Sequence, residues 1–190
     1  MNNLLKEKLN YLKLSSKNIY YRVKIKNDNS QLLDTIAAAM YGGVDIIELS
    51  GRNISASEYY TVASKVKLLA AQFNTTFIID ERVDIAYLLE SDGIFLKDSD
   101  LSIEKAHKLL EQTSFIGTDN TQNPNVDYYL SDTVIKSNIP TFISCNENIE
   151  TCKTLIQTGI RHIFVSDLIT NSKSPHNTSI EIKTLLEKFK

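Results

Sequence analysis

The segment TFIIDERVDIAYLLESDGIFLK, residues 76–97, decides the fold class of this chain. The apolar run 76–80 is typical of a buried strand, 83–90 has the apolar spacing of a helix, and 93–97 again favours a strand. A strand, a helix and a second strand in close succession are typical of two parallel strands joined by a crossover helix. The acids and the arginine that separate the first strand from the helix lie where such a strand ends.

The same alternation extends in both directions from this segment. Strands are predicted at 20–25, 44–50, 76–80, 93–97, 114–119, 126–132, 140–145 and 162–167. Helices are predicted at 3–14, 31–41 (capped by Ser30), 57–73, 83–90, 101–112, 148–158 and 179–189. The strands are short apolar runs, as expected when both faces of a sheet are covered.

Eight strand units predict an α/β protein, a small (β/α)8 TIM barrel with trimmed fifth and sixth crossovers. Residues 1–190 are expected to form this single barrel domain, in which 1–18 is an N-terminal lead-in helix. An open doubly wound sheet is the alternative, although no glycine-rich turn follows the first strand.

Composition excludes several classes of partner. The chain has 190 residues, 42% of them hydrophobic, and a net charge of −2, so no broad basic field favours nucleic acid. No apolar run approaches the roughly 18 residues of a membrane span. Lys6, Glu7 and Lys8 interrupt any signal-peptide core, so a cytoplasmic protein with no membrane partner is expected. The oligomeric state stays open.

Cysteines and histidines give no sign of a metal centre. Cys145 and Cys152 lack CxxC spacing and a histidine pair, so zinc is not expected. In a reducing compartment they are expected to be buried or idle thiols. The three histidines are expected to be structural or exposed.

Polar residues follow nearly every predicted strand, at the barrel end where catalysis usually takes place. Carboxylates from adjacent strands suit Mg²⁺, and arginines beside them suit phosphate. A charged rim that only contacts solvent is the alternative. The strand ends carry Glu48, Ser50, Arg52, Asp80, Glu81, Arg82, Lys97, Asp98, Asp100, Thr118, Asp119, Ser131, Asp132, Ser144, Cys145, Asn146, Ser166 and Asp167.

Four segments carry a resemblance to a known family. GGVDIIELSGR (42–52), IIDERVDIA (78–86), DGIFLKDSD (92–100) and FIGTD (115–119) resemble the thiamin phosphate synthase and TenI family over roughly residues 19–169. The resemblance implies a (β/α)8 barrel. It also implies an Mg²⁺-dependent transferase of thiamin biosynthesis that joins a pyrimidine diphosphate to a thiazole phosphate and releases pyrophosphate. TenI-type relatives instead aromatise a thiazole tautomer.

The resemblance assigns roles by position. Arg52 keeps the charge of a cation that holds diphosphate, and Arg82 would orient phosphate, so these two are the catalytic candidates. Glu81 and Asp100 stand for the metal ligands. The candidate substrate- or phosphate-binding residues are Glu48, Ser50, Arg52, Asp80, Gly117, Thr118, Asp119, Ser144 and Ser166.

Several family motifs are eroded in this chain. Ser50, Asp80 and Asp119 replace an arginine, an asparagine and a serine of the family pattern, which makes the site about three charges more negative. The phosphate-binding glycines after strand seven are absent, and Lys136 is at best a displaced remnant of the strand-six lysine.

Two alternatives therefore stay open. One is a catalytically retired barrel that serves as a binding or regulatory module. The other is a TenI-like tautomerase with Glu48, Asp119 or Asp132 as base.

Overall fold

A computed structural model describes residues 3–26, 30–52, 54–110 and 114–189. The strands are β1 Ile19–Lys24, β2 Ile46–Ser50, β3 Thr76–Asp80, β4 Gly93–Phe95, β5 Phe115–Thr118, β6 Tyr128–Ser131, β7 Thr141–Ser144 and β8 Ile163–Val165. The helices are α1 Asn3–Ser15, α2 Leu32–Tyr41, α3 Ala56–Phe73, α4 Val83–Leu88, α5 Ile103–Leu109, α6 Ile149–Gln157, α7 Asp167–Thr170 and α8 Pro175–Lys188.

The eight strands form a closed barrel in sequence order, and every neighbouring pair is parallel. The barrel closes where Tyr20 of β1 pairs with Phe164 of β8. The predicted (β/α)8 barrel is confirmed, and the open doubly wound sheet is excluded. All the strands therefore point their carboxyl ends at one mouth, where the polar strand-end residues lie.

Two apolar layers stabilise the barrel. The interior layer contains Tyr20, Ile46, Ile78, Phe95, Phe115, Tyr128, Leu130, Phe142 and Phe164, together with Leu14 of α1. A larger cluster packs the outward-facing strand residues against the helices. Leu14 is fully buried with the interior layer, so the lead-in helix contributes directly to the barrel core.

The fifth and sixth crossovers contain no helix. Residues 119–127 and 132–140, all of them described, connect β5 to β6 and β6 to β7 as loops. Strands β5 and β6 pack closely at Gly117, where a Cβ atom would lie 2.0 Å from Cζ of Tyr128. The prediction of trimmed crossovers is confirmed.

The main differences from the predicted helices concern α2, α7 and α8. Gln31 rather than Ser30 occupies the N-cap position of α2. The last helix begins at Pro175, four residues before the predicted start, because the Ser174 hydroxyl accepts the N–H of Asn177 and proline suits a first helical turn. The short helix α7 was not predicted. The end of the predicted helix 101–112 lies outside the described residues.

Cys145 and Cys152 are buried, but they form a disulfide, which corrects the expectation of buried or idle thiols. Cys145 follows β7 and Cys152 lies in α6, and the strand-to-helix turn brings their Cα atoms to 5.4 Å. The expectation rested on compartment and motif spacing, whereas this turn geometry decides the pairing.

Among the described residues, no helix is long and apolar enough to cross a membrane.

Candidate functional site

An arginine surrounded by carboxylates occupies one side of the barrel mouth. Arg52 follows β2, and its Nη2 lies 2.6 Å from Oδ1 of Asp80 and 2.9 Å from Oδ2 of Asp100. Its Nη1 donates to Oδ1 of Asp100 at 3.0 Å and lies 3.3 Å from Oε2 of Glu81. We call Arg52, Asp80, Glu81 and Asp100 the Arg52 cluster. Three successive strands therefore supply its members.

Local backbone geometry positions the carboxylates of the cluster. Glu81 adopts a left-handed conformation, with φ of 69°, and its N–H donates to the carbonyl of Phe95 on the next strand. Asp100 accepts the N–H of Lys97 at 2.8 Å, and Asp80 accepts the Ser50 hydroxyl at 2.5 Å. The carboxylates of Asp80 and Asp100 are thus each held by a second partner besides Arg52, whereas Glu81 is positioned through its backbone.

The ion pairs of the cluster shift the pKa values of Arg52 and Asp100. Hydrogen bonds from Arg52 to Asp100, and then to Asp80, outweigh burial and raise the pKa of the guanidinium. Burial alone would raise the pKa of Asp100, but the bonds from Arg52 and the Lys97 N–H outweigh it, and that pKa is lowered. Both shifts favour the charged forms of Arg52 and Asp100.

The Arg52 cluster has the ligand chemistry of a magnesium site but not the arrangement. Carboxylate oxygens are the donors that Mg²⁺ prefers. In this structure those oxygens bind the guanidinium instead. No group of three or more His, Cys, Asp or Glu side chains within the described ranges is arranged to hold a metal ion. With Arg52 in place the residues do not fit a bound Mg²⁺, and the metal stays a prediction.

A second ion pair lies deeper in the barrel. Arg22 of β1 donates from Nε to Oε1 of Glu48 at 2.5 Å and from Nη2 to Oε2 at 3.0 Å. The rings of Phe95 and Phe164 lie 4.6 and 5.0 Å from its Cζ. Sequence analysis missed Arg22, although a lone arginine at an inward position of an apolar strand was a usable signal.

Glu48 is fully buried, so neither of its carboxylate oxygens is accessible to a substrate. Besides Arg22 it accepts the Tyr20 hydroxyl at 2.6 Å, and the Tyr128 hydroxyl lies 3.1 Å from that of Tyr20. Burial raises the pKa of Glu48, although Arg22 opposes the shift. A base for a tautomerase would have to come from elsewhere, and the other two candidates, Asp119 and Asp132, are exposed.

The remaining predicted residues have partners or surroundings outside the Arg52 cluster. Arg82 points away from it and pairs with Asp84 at 2.5 Å, partly exposed. Gly117 faces the Tyr128 ring, so packing accounts for this glycine. Thr118 is buried and its hydroxyl accepts the N–H of Asn120. Lys136 is exposed in the β6–β7 loop.

Two serines line the mouth on the β7 and β8 side. The Asn146 side chain links them, because its amide donates to the Ser144 hydroxyl at 3.1 Å and its carbonyl accepts the Ser166 N–H at 2.5 Å. Ser144 and Ser166 were both predicted as phosphate-binding residues. The structure places them at the ends of the neighbouring strands β7 and β8, and their phosphate-binding role stays a prediction.

Comparison with known structures agrees with the fold. A thiamine phosphate pyrophosphorylase from Pyrococcus furiosus superposes with a TM-score of 0.79, covering 94% of this chain and 98% of that one. KGPDC from Streptococcus mutans gives a TM-score of 0.64 over 91% of this chain. At 19% and 13% sequence identity, these structures support the barrel fold alone.

Sequence comparison identifies the family. The thiamine-phosphate synthase of Campylobacter jejuni strain RM1221 is 38% identical over 99 residues, which cover 51% of this chain and 47% of the relative. That of Fusobacterium nucleatum is 40% identical over 82 residues, 43% of this chain and 40% of the relative. The chain thus matches about half the length of these curated relatives. The family model described as thiamine monophosphate synthase matches residues 19–127, and the chain therefore belongs to this family.

Proposed function

We propose that the protein is a thiamin phosphate synthase-like transferase. It would join a pyrimidine diphosphate to a thiazole phosphate at the barrel mouth and release pyrophosphate. The Arg52 cluster carries this proposal, because it converges at the strand ends where the family resemblance places diphosphate and metal. The proposed partners are small phosphorylated heterocycles, and the proposed location is the cytoplasm.

Arg52 is the residue with the strongest role in this proposal. Transfer from a diphosphate needs charge stabilisation on the departing phosphate oxygens, and an arginine fork supplies it with two parallel donors. Arg52 stands only partly exposed at the mouth and already holds its guanidinium in one orientation. Arg82 would contribute only if it exchanged Asp84 for a phosphate oxygen.

Mg²⁺ belongs to the proposal under one condition. Arg52 and Mg²⁺ compete for Asp80, Glu81 and Asp100, so the metal requires Arg52 to leave these carboxylates. A diphosphate offers Arg52 an alternative partner of the same geometry. We therefore expect metal and diphosphate to bind together rather than singly.

A catalytically retired binding module is the second candidate function. The observation that favours it is the closed arrangement of the cluster, in which Arg52 neutralises carboxylates that a synthase would use for metal. A second ion pair, Arg22–Glu48, fills the barrel beneath it. In such a module the two pairs would stabilise the fold without any turnover.

A direct assay separates these two candidates. Pyrophosphate release from a pyrimidine diphosphate and a thiazole phosphate, with MgCl₂, is expected for the wild type. Arg52→Lys keeps the charge but loses the fork, and kcat/KM is expected to fall at least about 100-fold. Lys108→Gln, which breaks an exposed pair with Glu104 on α5, is the matched control and should leave the rate unchanged. No pyrophosphate from the wild type would favour the retired module.

A further inference from the structure

The hydroxyl of Tyr59 lies where the pairing between β2 and β3 ends. The register of the two strands runs to the pair Leu49–Ile79. At that point the Tyr59 hydroxyl donates to the carbonyl of Leu49 and accepts the N–H of Asp80 at 3.3 Å. A single side chain from α3 therefore contacts the backbone of both strands where the mouth begins.

The ring of Tyr59 packs directly against the residue that precedes Arg52. A Cβ atom on Gly51 would lie 2.4 Å from Cδ2 of this ring, so the close approach requires a glycine there. Tyr59 is 1% exposed, and the surrounding core leaves its ring little freedom. The side chain is thus in contact with the strand ends that carry Asp80 and Arg52.

A neutral hydroxyl matches the two backbone groups that it contacts. Burial raises the pKa of Tyr59 well above its ordinary value, and the negative charge of Asp80 raises it further. The protonated hydroxyl has one hydrogen to donate and lone pairs to accept. A phenylalanine would fill the same space, but the Leu49 carbonyl and the Asp80 N–H would lose this partner.

We propose that Tyr59 is a positioning residue of the mouth, which acts through Asp80 on Arg52. It holds the backbone of Asp80 at the end of β3, where the carboxylate accepts Nε and Nη2 of Arg52 at 3.1 and 2.6 Å. The inference rests on the proposed function, because it names what orients the arginine fork that would stabilise the departing phosphate oxygens.

A small movement of Asp80 would disturb several contacts of the cluster together. The Asp80 carboxylate accepts the Ser50 hydroxyl at 2.5 Å as well as the two nitrogens of Arg52. A displacement of about 1 Å is enough to slow a reaction about 100-fold when it misplaces a group that acts in the transition state. The Tyr59 hydroxyl is therefore expected to affect the orientation of Arg52 although it does not contact that side chain.

The test is NMR measurement of hydrogen exchange at the Arg52 Nε–H group in the protein without ligand. Tyr59→Phe keeps the ring and removes only the hydroxyl. Since Nε donates to Asp80, we expect exchange at least about tenfold faster in this variant than in the wild type.

Two variants of the same helix are the controls. Tyr60→Phe removes an exposed hydroxyl next to Tyr59 and should leave the Arg52 exchange rate unchanged. Val66→Ala truncates a buried side chain about two turns further along α3, on the same face and away from the mouth. It should lower the melting temperature without changing the exchange rate of Arg52.

The transferase assay supplies a second measurement. If Tyr59 acts only through the position of Arg52, Tyr59→Phe should lower kcat of pyrophosphate release about tenfold and change KM less than about threefold. Val66→Ala should keep both constants. A loss of stability alone would not separate the two variants in this way.

Each outcome decides the proposal. An unchanged Arg52 exchange rate in Tyr59→Phe, or an equal increase in Val66→Ala, would overturn the positioning role. If exchange at Arg52 responds as expected but the wild type releases no pyrophosphate, the proposed function fails and the positioning of Arg52 stands. Should Tyr59→Phe fail to fold by circular dichroism, the wild type decides: absence of a nuclear Overhauser effect between the Tyr59 hydroxyl proton and the Asp80 amide proton overturns the proposal.

Discussion

Replacing Arg22 by methionine is expected to lower the free energy of unfolding by about 3–5 kcal/mol. Methionine fills similar space between Phe95 and Phe164 but leaves Glu48 fully buried and without its cation. Tyr20 still donates one hydrogen bond to that carboxylate. A single neutral donor does not replace a bidentate ion pair, so the variant should be much less stable.

Urea denaturation of four proteins measures this effect: the wild type, Arg22→Met, Glu48→Leu and the double variant Arg22→Met/Glu48→Leu. Because the double variant removes both charges, it should be more stable than Arg22→Met alone. The two substitutions should therefore not be additive. A loss below about 1 kcal/mol for Arg22→Met would show that the pair contributes little and would contradict this prediction.

Replacing Arg52 by glutamine is expected to create a divalent-cation site. Without the guanidinium, Asp80, Glu81 and Asp100 would repel one another across a few ångströms, and a divalent cation relieves that repulsion. We expect Mn²⁺ to bind Arg52→Gln at least about tenfold more tightly than the wild type. Mn²⁺ should also raise the melting temperature of the variant more than that of the wild type.

Electron paramagnetic resonance of free Mn²⁺ gives both affinities directly. Arg82→Gln is the matched control, because Arg82 is the neighbouring arginine and pairs with Asp84 outside the cluster. This control should bind Mn²⁺ like the wild type. If the wild type and Arg52→Gln bind Mn²⁺ equally, Arg52 does not compete with a divalent cation for these carboxylates, and the prediction is wrong.

The sequence predicted the fold well because its pattern is locally consistent. The segment 76–80 became β3 without any change of bounds, since an apolar run of β-forming residues between turn signals leaves little choice. The loops that replace the fifth and sixth crossovers were also predictable, because 119–127 lacks a helical apolar pattern. The starts of helices were less predictable, because the early start of α8 depends on the Ser174 cap.

Half of the site could be predicted and half could not. Arg52, Asp80, Glu81 and Asp100 converge because parallel strands end at one mouth. Which of them would pair was not predictable, since side-chain contacts across strands depend on the closed geometry. Arg22 lies within β1 rather than at its end, so the pattern of strand-end residues does not include it, and the only signal is a lone arginine in an apolar strand.

We propose that this mouth binds the phosphate groups of a diphosphate together with magnesium. Calorimetric titration of inorganic pyrophosphate into the wild-type protein, with and without MgCl₂, tests it most directly. We expect heat of binding only with MgCl₂, and we expect the variant Glu81→Ala/Asp100→Ala to lose it. No heat at millimolar pyrophosphate in either condition would contradict this proposal and favour a function of the barrel that involves no phosphorylated substrate.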